Sequence, residues 1–169
     1  MSGISTIHEF LREAHVPYTV VPYRPAFTAQ GEAAPTHVPG RDWAKVVVCV
    51  VDGEPIEAVV PAPQKVDFDR LLQLSGGTAI RPAHEDELRQ FCPRCDAEAM
   101  SPLRPLCAHD VFVDVSLATE LEIVLGAGTH EDAIAMRWTD FARTVRPIVG
   151  RFAAPSTDRV GAYRLSYRE

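Results

Sequence analysis

The sequence has no long apolar run and no excess of basic residues. Its longest aliphatic stretch spans 46–51, with Cys49 inside it, far short of the roughly 20 residues that a membrane-spanning helix needs. The 169 residues carry 17 Lys and Arg against 23 Asp and Glu, a formal net charge of −6. Proteins that track nucleic-acid phosphates normally carry a basic excess. We therefore expect no membrane insertion and no non-specific DNA binding, although a local basic pocket is compatible with this charge.

Several targeting and nucleotide-binding signals are missing as well. The N-terminal residues contain no basic region leading into an apolar core, so the sequence predicts no secretory signal and a cytoplasmic protein. Four cysteines are then expected to be thiols rather than a disulfide framework. No G-x-S-x-G motif, phosphate loop or G-x-G-x-x-G motif occurs, which disfavours a doubly wound nucleotide-binding fold.

The composition that is present is that of one globular domain. Apolar residues make up 46% of the chain and charged residues 24%, as in an ordinary soluble domain. We see no internal repeat. The predicted organisation is a single domain over residues 1–153 followed by a C-terminal tail over 154–169.

Turn and cap residues predict a mixture of helices and strands. Apolar runs over 44–51 and 56–60 flank Asp52-Gly53, a strong hairpin signal, and the first arm is apolar on both faces, which predicts a central strand. Further strands are predicted over 16–20, 78–81, 111–115, 121–125 and 133–137. Helices are predicted over 4–14, 28–37, 68–75 (capped by Asp67 and ended by Gly76), 85–91 and 139–147 (capped by Thr139). Because no regular βαβ rhythm appears, the predicted class is α+β with a mixed sheet.

The segment Cys92-Pro93-Arg94-Cys95 has the spacing of half a zinc site and also of a redox motif. Cys107 and His109 supply further ligand types, but they are separated by one residue, which is cramped for a second ligand pair. The redox alternative requires the motif to open a helix after a strand, whereas here it follows a predicted helix. Ordinary loop thiols are the favoured interpretation, and no metal or cofactor is predicted.

Lys45 and Asp114 are charged residues in apolar strands. A lysine at the mouth of a buried strand either extends its stem to solvent or holds an anionic group in a pocket, and spacing alone favours the first. Asp114 poses a similar choice, because burying an acid among apolar residues is unfavourable unless the acid is paired.

Short motifs occur in one order along the chain: PY at 17–18, PAFTAQ at 25–30, PGR at 39–41, AKVVV at 44–48, VPA at 60–62, CDAEAMSP at 95–102, VDVSL at 113–117, GTH at 128–130 and IAM at 134–136. Their order and spacing resemble the YbaK/prolyl-tRNA synthetase-associated domain family over roughly residues 4–152. The resemblance implies a single α/β domain with a strongly curved mixed sheet.

The resemblance also implies a reaction, the hydrolysis of the ester that joins a wrong, small amino acid to the acceptor end of a tRNA. The length resembles a free-standing, trans-editing deacylase, which could act together with an aminoacyl-tRNA synthetase. Such editing is needed because one methylene in a binding pocket discriminates by only about 1–3 kcal/mol. An aminoacyl ester is already reactive, so the enzyme mainly has to position a water and stabilise the oxyanion, without a cofactor.

By position, Lys45 matches the family's functional lysine and Pro102 the proline of its G-x-x-x-P loop. The residues expected to be catalytic are Lys45, Glu98 and Pro102, and those expected to bind substrate are Tyr18, Phe27, Ala99, Met100, Ser101, Asp114, Ser116 and His130. Glu98 replaces the loop glycine, and Arg104 brings a second new charge. These two residues predict either an ion pair that closes the pocket of a non-catalytic module for a small ligand or a protein, or a general base at Glu98.

Overall fold

The computed structural model describes residues 3–22, 43–91, 101–103, 109–126 and 132–155. The helices in these ranges are α1 (Gly3–Glu13), α2 (Phe68–Ser75), α3 (Glu85–Phe91), α4 (Val115–Ala118) and α5 (Trp138–Val145). The strands are β1 (Thr19–Pro22), β2 (Ala44–Val51), β3 (Glu54–Pro61), β4 (Gln64–Val66), β5 (Ile80–Pro82), β6 (Asp110–Asp114), β7 (Glu122–Gly126), β8 (Asp132–Arg137), β9 (Ile148–Gly150) and β10 (Ala153–Pro155). No helix in the described ranges is long and apolar enough to cross a membrane.

The β2–β3 hairpin organises the larger sheet, whose strand order is β5-β2-β3-β6-β9. β2 pairs antiparallel with both β3 and β5, which confirms the predicted central strand. Asp52 and Gly53 turn the chain with φ angles of +50° and +85°, as the Asp-Gly signal predicts. The Asp52 carboxylate also accepts hydrogen bonds from the backbone N–H groups of Thr78 and Ala79, so the turn is tied to the segment that leads into β5.

Replacing Gly53 by alanine should destabilise the protein by about 1–2 kcal/mol, because an L-residue in the left-handed region places its Cβ too close to the following carbonyl. No other atom lies within 4 Å of the Cβ that would be added, so the expected loss is local backbone strain. Urea unfolding followed by circular dichroism measures it, with the exposed neighbour Glu54→Ala as control. An unchanged free energy of unfolding would contradict the assignment of the turn.

A second, smaller sheet has the order β1-β8-β7. Trp43, directly before β2, forms a parallel bridge with Val124 of β7, and its carbonyl accepts the N–H of Ala62 at 2.8 Å. The main core lies between the two sheets and the helices α1, α4 and α5, and its buried residues include Ile7, Leu11, Val48, Val59, Leu103, Val113, Leu117, Ile123, Ile134, Met136 and Phe141. The mixed sheet agrees with the predicted class.

Two further apolar clusters cover the other side of the sheets. The second core packs α2 against the larger sheet and comprises Cys49, Val51, Ile56, Ala58, Val60, Val66, Leu71, Phe112 and Phe152. The outer cluster comprises Val124, Ala133 and Ala135, with Val21 and Trp43 packed against them. The β4–β10 ribbon belongs to the side of the second core, since Val66 and Phe152 are part of that core.

Local cap signals predict the helix ends with different success. The Asp67 carboxylate accepts the N–H of Arg70 at 3.2 Å, and Gly76 ends α2 in the left-handed conformation, so both predictions for α2 are confirmed. Thr139 is not the cap of α5, because the helix begins at Trp138 and Arg137 occupies the cap position without a side-chain hydrogen bond.

The predicted domain end at residue 153 falls inside β10, which pairs with β4. β1 and β5 each begin later than predicted, by three and two residues, and both extend to a proline. β1 lies at an edge of its sheet, where a proline is tolerated. The helix predicted over 28–37 and the tail beyond residue 155 lie outside the described residues.

Candidate functional site

Lys45 marks one end of the larger sheet. β2 begins where β3 and β6 end, because β2 runs antiparallel to β3, and β3 runs parallel to β6. Lys45 pairs with Val60, and the register that pairs Val59 with Val113 places Asp114 beside Val60. The backbones of Lys45 and Asp114 are therefore two strand spacings apart, roughly 10 Å. We call this edge, formed by Lys45, Val60, Asp114 and Gly150, the Lys45 end.

The strand register also defines the face of the sheet to which Lys45 points. Val47 and Cys49, two and four residues further along β2, belong to the second core, as does the cross-strand partner Val60. Since successive strand residues alternate between faces, Lys45 points to this side. Lys45 is half-buried, so it lies at the boundary between the second core and the surface. An ammonium group at such a boundary is suited to holding an anionic or carbonyl group of a ligand.

Asp114 has hydrogen-bond partners, which explains how an acid can be buried among apolar residues. The residue is only 4% exposed. Its Oδ1 accepts the N–H groups of Phe152 and Ala153, both at 2.8 Å, and its Oδ2 accepts the N–H of Ser116 at 3.0 Å and its hydroxyl at 2.5 Å. Burial alone raises the pKa of Asp114, but hydrogen bonds from Ser116, Phe152 and Ala153 outweigh it and lower that pKa.

These contacts give Asp114 a role in building the Lys45 end. It caps α4 and fixes the segment that joins β9 to β10. Ser116, also expected in the pocket, lies beside it at the start of α4. Lys45, Asp114 and Ser116 are thus brought to one end of the sheet, while the Asp114 oxygens are already engaged by the protein itself. Contact of Asp114 or Ser116 with a substrate stays a prediction.

Ser101 and Pro102, predicted to belong to the hydrolytic loop, are buried. Leu103 follows them into the main core with 0% exposure, and its N–H donates to the Ser101 hydroxyl oxygen at 3.3 Å. This end of the loop is therefore anchored by packing. The other predicted positions lie outside the described residues: Phe27, Cys92, Cys95, Glu98, Ala99, Met100, Arg104, Cys107 and His130.

Tyr18 lies against a different part of the molecule. It packs on the main core, and its ring stacks on His8 with a centroid distance of 5.2 Å. The main core occupies the face of the larger sheet opposite to that of Lys45. Glu57, a fully buried carboxylate that sequence reasoning did not single out, pairs in register with Val48 of the main core and so faces the same way as that core.

Trp43 lies next to the Lys45 end and was not singled out by the sequence reasoning. It precedes Lys45 by two residues, joins the two sheets through Val124, and shares the face of the sheet with Lys45. Its place one residue before the predicted strand and two residues before Lys45 is the signal that could have indicated it.

The described residues contain no group of three His, Cys, Asp or Glu side chains placed to hold a metal ion. His109, one of the predicted ligand types, lies with its Nε2 3.4 Å from the carbonyl oxygen of Phe91. Cys49 is buried in the second core, and burial raises the pKa of its thiol to about 12. This thiol is protonated at neutral pH and is not a nucleophile.

Comparison with known proteins shows the family to which the chain belongs. The model of the aminoacyl-tRNA editing domain matches residues 24–144, a stretch that includes Lys45 and Asp114. The chain belongs to this family, which confirms the resemblance seen in the motifs.

Curated relatives are synthetases. The proline–tRNA ligase of Anaeromyxobacter sp. (strain K) is 35% identical over 114 residues, 68% of this chain. The proline–tRNA ligase 1 of Anaeromyxobacter dehalogenans (strain 2CP-C) is 34% identical over 112 residues, 66% of this chain. The matched region covers 19% of each relative, so the chain spans about a fifth of their length.

Among solved structures, the crystal structure of a candidate trans-editing enzyme for prolyl tRNA synthetase matches with a TM-score of 0.77. The match covers 91% of this chain and 98% of that chain at 16% identity. At this level of identity the similarity establishes the fold, and it confirms a single mixed α/β domain.

Proposed function

We propose that the protein is an aminoacyl-tRNA deacylase that hydrolyses the ester of a tRNA carrying a wrong, small amino acid. The observation that carries the proposal is Lys45, a half-buried cation at the end of the sheet, within the stretch that the editing-domain family matches. We further propose that the protein acts in the cytoplasm and cooperates with a synthetase, because its curated relatives are proline–tRNA ligases.

The proposed reaction needs little covalent chemistry from the protein. Water adds to the acyl carbon, the bond to the ribose oxygen breaks, and the products are the free amino acid and a tRNA with its terminal hydroxyl restored. Lys45 holds the ester end or the neighbouring phosphate in place. The Ser101 hydroxyl and backbone N–H groups of the 98–102 loop position the water and donate to the oxyanion, a kind of stabilisation that is strong when water is excluded. Pro102 has no N–H group, so its role is to hold the loop in shape.

The Lys45 end offers a physical reason for a small amino acid. Lys45 is flanked by apolar side chains of the second core and by Trp43, and a ligand held there meets surfaces that pack well against a short aliphatic side chain. Substrate selection by such a surface depends on volume rather than on hydrogen bonds.

Single-turnover deacylation tests the proposal. Wild-type protein is mixed with tRNAs that each carry glycine, alanine, serine, threonine or valine. The panel includes the proline tRNA mischarged with these amino acids, because the names of the relatives indicate that tRNA. We expect release of at least one amino acid well above the rate without enzyme. No release from any member of the panel would contradict the proposed activity.

The non-catalytic binding module is the second candidate, and the charges at Glu98 and Arg104 are the sequence observation that favours it. The variant Glu98→Gly, tested on the same panel, separates the two candidates. Hydrolysis only after this substitution would indicate a deacylase fold with a closed site, whereas loss of wild-type hydrolysis would indicate that Glu98 is the general base.

A further inference from the structure

Arg151 is an exposed cation held at the Lys45 end. The residue before it, Gly150, pairs in register with Asp114, and the residue after it, Phe152, donates its N–H to Asp114 Oδ1 at 2.8 Å. Both neighbours of Arg151 therefore contact Asp114, Gly150 through the strand pairing and Phe152 through the buried carboxylate. Gly150 is one strand spacing beyond Asp114, so Arg151 emerges roughly 14 Å from Lys45 along the edge of the sheet.

Lys65 is a second exposed cation on the adjoining β4–β10 ribbon. It pairs with Ala154, while its neighbour Val66 is buried in the second core. The N–H of Asp67 donates to the carbonyl oxygen of Phe152 at 2.7 Å, which ties the ribbon to the segment that carries Arg151. The two cations thus lie on connected backbone next to the Lys45 end.

Neither cation is neutralised within the described part of the chain. Three of the eight described arginines have carboxylate partners: Arg70 with Asp67 at 3.5 Å, Arg81 with Glu87 at 2.7 Å and Arg143 with Asp140 at 3.0 Å. Arg151 and Lys65 make no ion pair with any described residue. In a chain with a net charge of −6, cations at the end that carries Lys45 provide the local attraction that a polyanion needs.

We propose that Arg151 and Lys65 bind phosphates of the tRNA acceptor strand next to the terminal nucleotide. The inference rests on the proposed function and extends it from the ester to the nucleic acid. A guanidinium presents two parallel donors to a phosphate, and an ammonium acts as a point charge. The separation between these two cations and Lys45 leaves room for the terminal nucleotide of the tRNA. Lys45 then contacts the ester, and Arg151 and Lys65 contact the phosphate backbone.

The test compares a long and a short substrate in the same variants. Arg151→Gln, Lys65→Gln and the double variant are assayed with charged tRNA and with an aminoacyl-adenosine, which lacks the upstream phosphates. Arg89→Gln is the matched control, because Arg89 is exposed but lies on α3, whose last residue Phe91 contacts His109 at the opposite end of β6.

The double variant should raise the concentration of charged tRNA needed for half-maximal rate about tenfold and reduce the slope of log affinity against log salt by about 1–2. The maximal rate, the rate on aminoacyl-adenosine and the behaviour of the control should be unchanged. An unchanged salt slope, or an equal loss with aminoacyl-adenosine, would overturn the proposal.

Binding of uncharged tRNA, followed by fluorescence anisotropy, separates this proposal from the proposed activity. Wild-type binding that weakens in the double variant supports the phosphate contacts even if no ester is hydrolysed. Hydrolysis by wild type with unchanged binding in the double variant refutes the contacts and leaves the deacylase intact. Absence of tRNA binding by wild type refutes the contacts directly.

Discussion

Replacing Lys45 by methionine should lower the single-turnover deacylation rate by about 10²–10³-fold, the loss typical of removing one donor that stabilises developing charge. Methionine keeps most of the unbranched stem but removes the ammonium group. The reason to expect a catalytic rather than a structural effect is that the side chain is only half-buried. Rapid-quench measurement on charged tRNA gives the rate.

The same variant needs a stability control and a charge control. Urea unfolding should show a free energy close to that of wild type, because the stem packing is retained. Lys45→Arg should recover part of the rate, since it restores a cation on a longer and planar head group. A Lys45→Met protein that is stable and retains the wild-type rate would show that the lysine takes no part in hydrolysis.

The elements that the sequence predicts well are those with local signals. The Asp52-Gly53 turn, the Asp67 and Gly76 caps and the apolar runs of β2 and β3 depend on neighbours within a few residues. The parallel pairing of β3 with β6, the Trp43–Val124 bridge and the pairing of β4 with β10 join segments far apart in the chain. No local pattern specifies such partners, so the sheet order had to come from the structure.

The residues of the candidate site also differ in how far the sequence predicts them. Spacing alone favours a solvent-directed Lys45, and the family resemblance is what singles this lysine out. The unfavourable burial of an acid predicts that Asp114 has partners, but two of them are N–H groups 38 and 39 residues away. Arg151 belongs to no motif, and its position follows from its two neighbours' contacts with Asp114.

Asp114→Asn should destabilise the protein by about 3 kcal/mol, because an amide has one accepting oxygen where the carboxylate has two, and a buried donor left unpaired loses about 1–3 kcal/mol. The amide nitrogen would face N–H groups of either Ser116 or the pair Phe152 and Ala153. Chemical denaturation at neutral pH measures the loss.

The pH dependence of this loss gives a second, independent readout. The pKa of Asp114 is lowered in the folded protein from its ordinary value of 3.8. Its stabilising contribution is therefore fully present above that ordinary value and disappears as the pH falls through the lower, folded-state pKa. The difference in free energy of unfolding between wild type and Asp114→Asn should be constant at neutral pH and shrink in acid.

Asp110→Asn is the matched control for this experiment, since Asp110 lies on the same strand but is exposed. It removes the same charge without removing buried hydrogen bonds, so its effect on stability should be small. Because Asp114 holds the N–H of Phe152, the residue directly after Arg151, Asp114→Asn should also weaken tRNA binding under conditions where the protein stays folded. Equal effects of the two substitutions on stability would mean that net charge, rather than the hydrogen bonds of Asp114, maintains the Lys45 end.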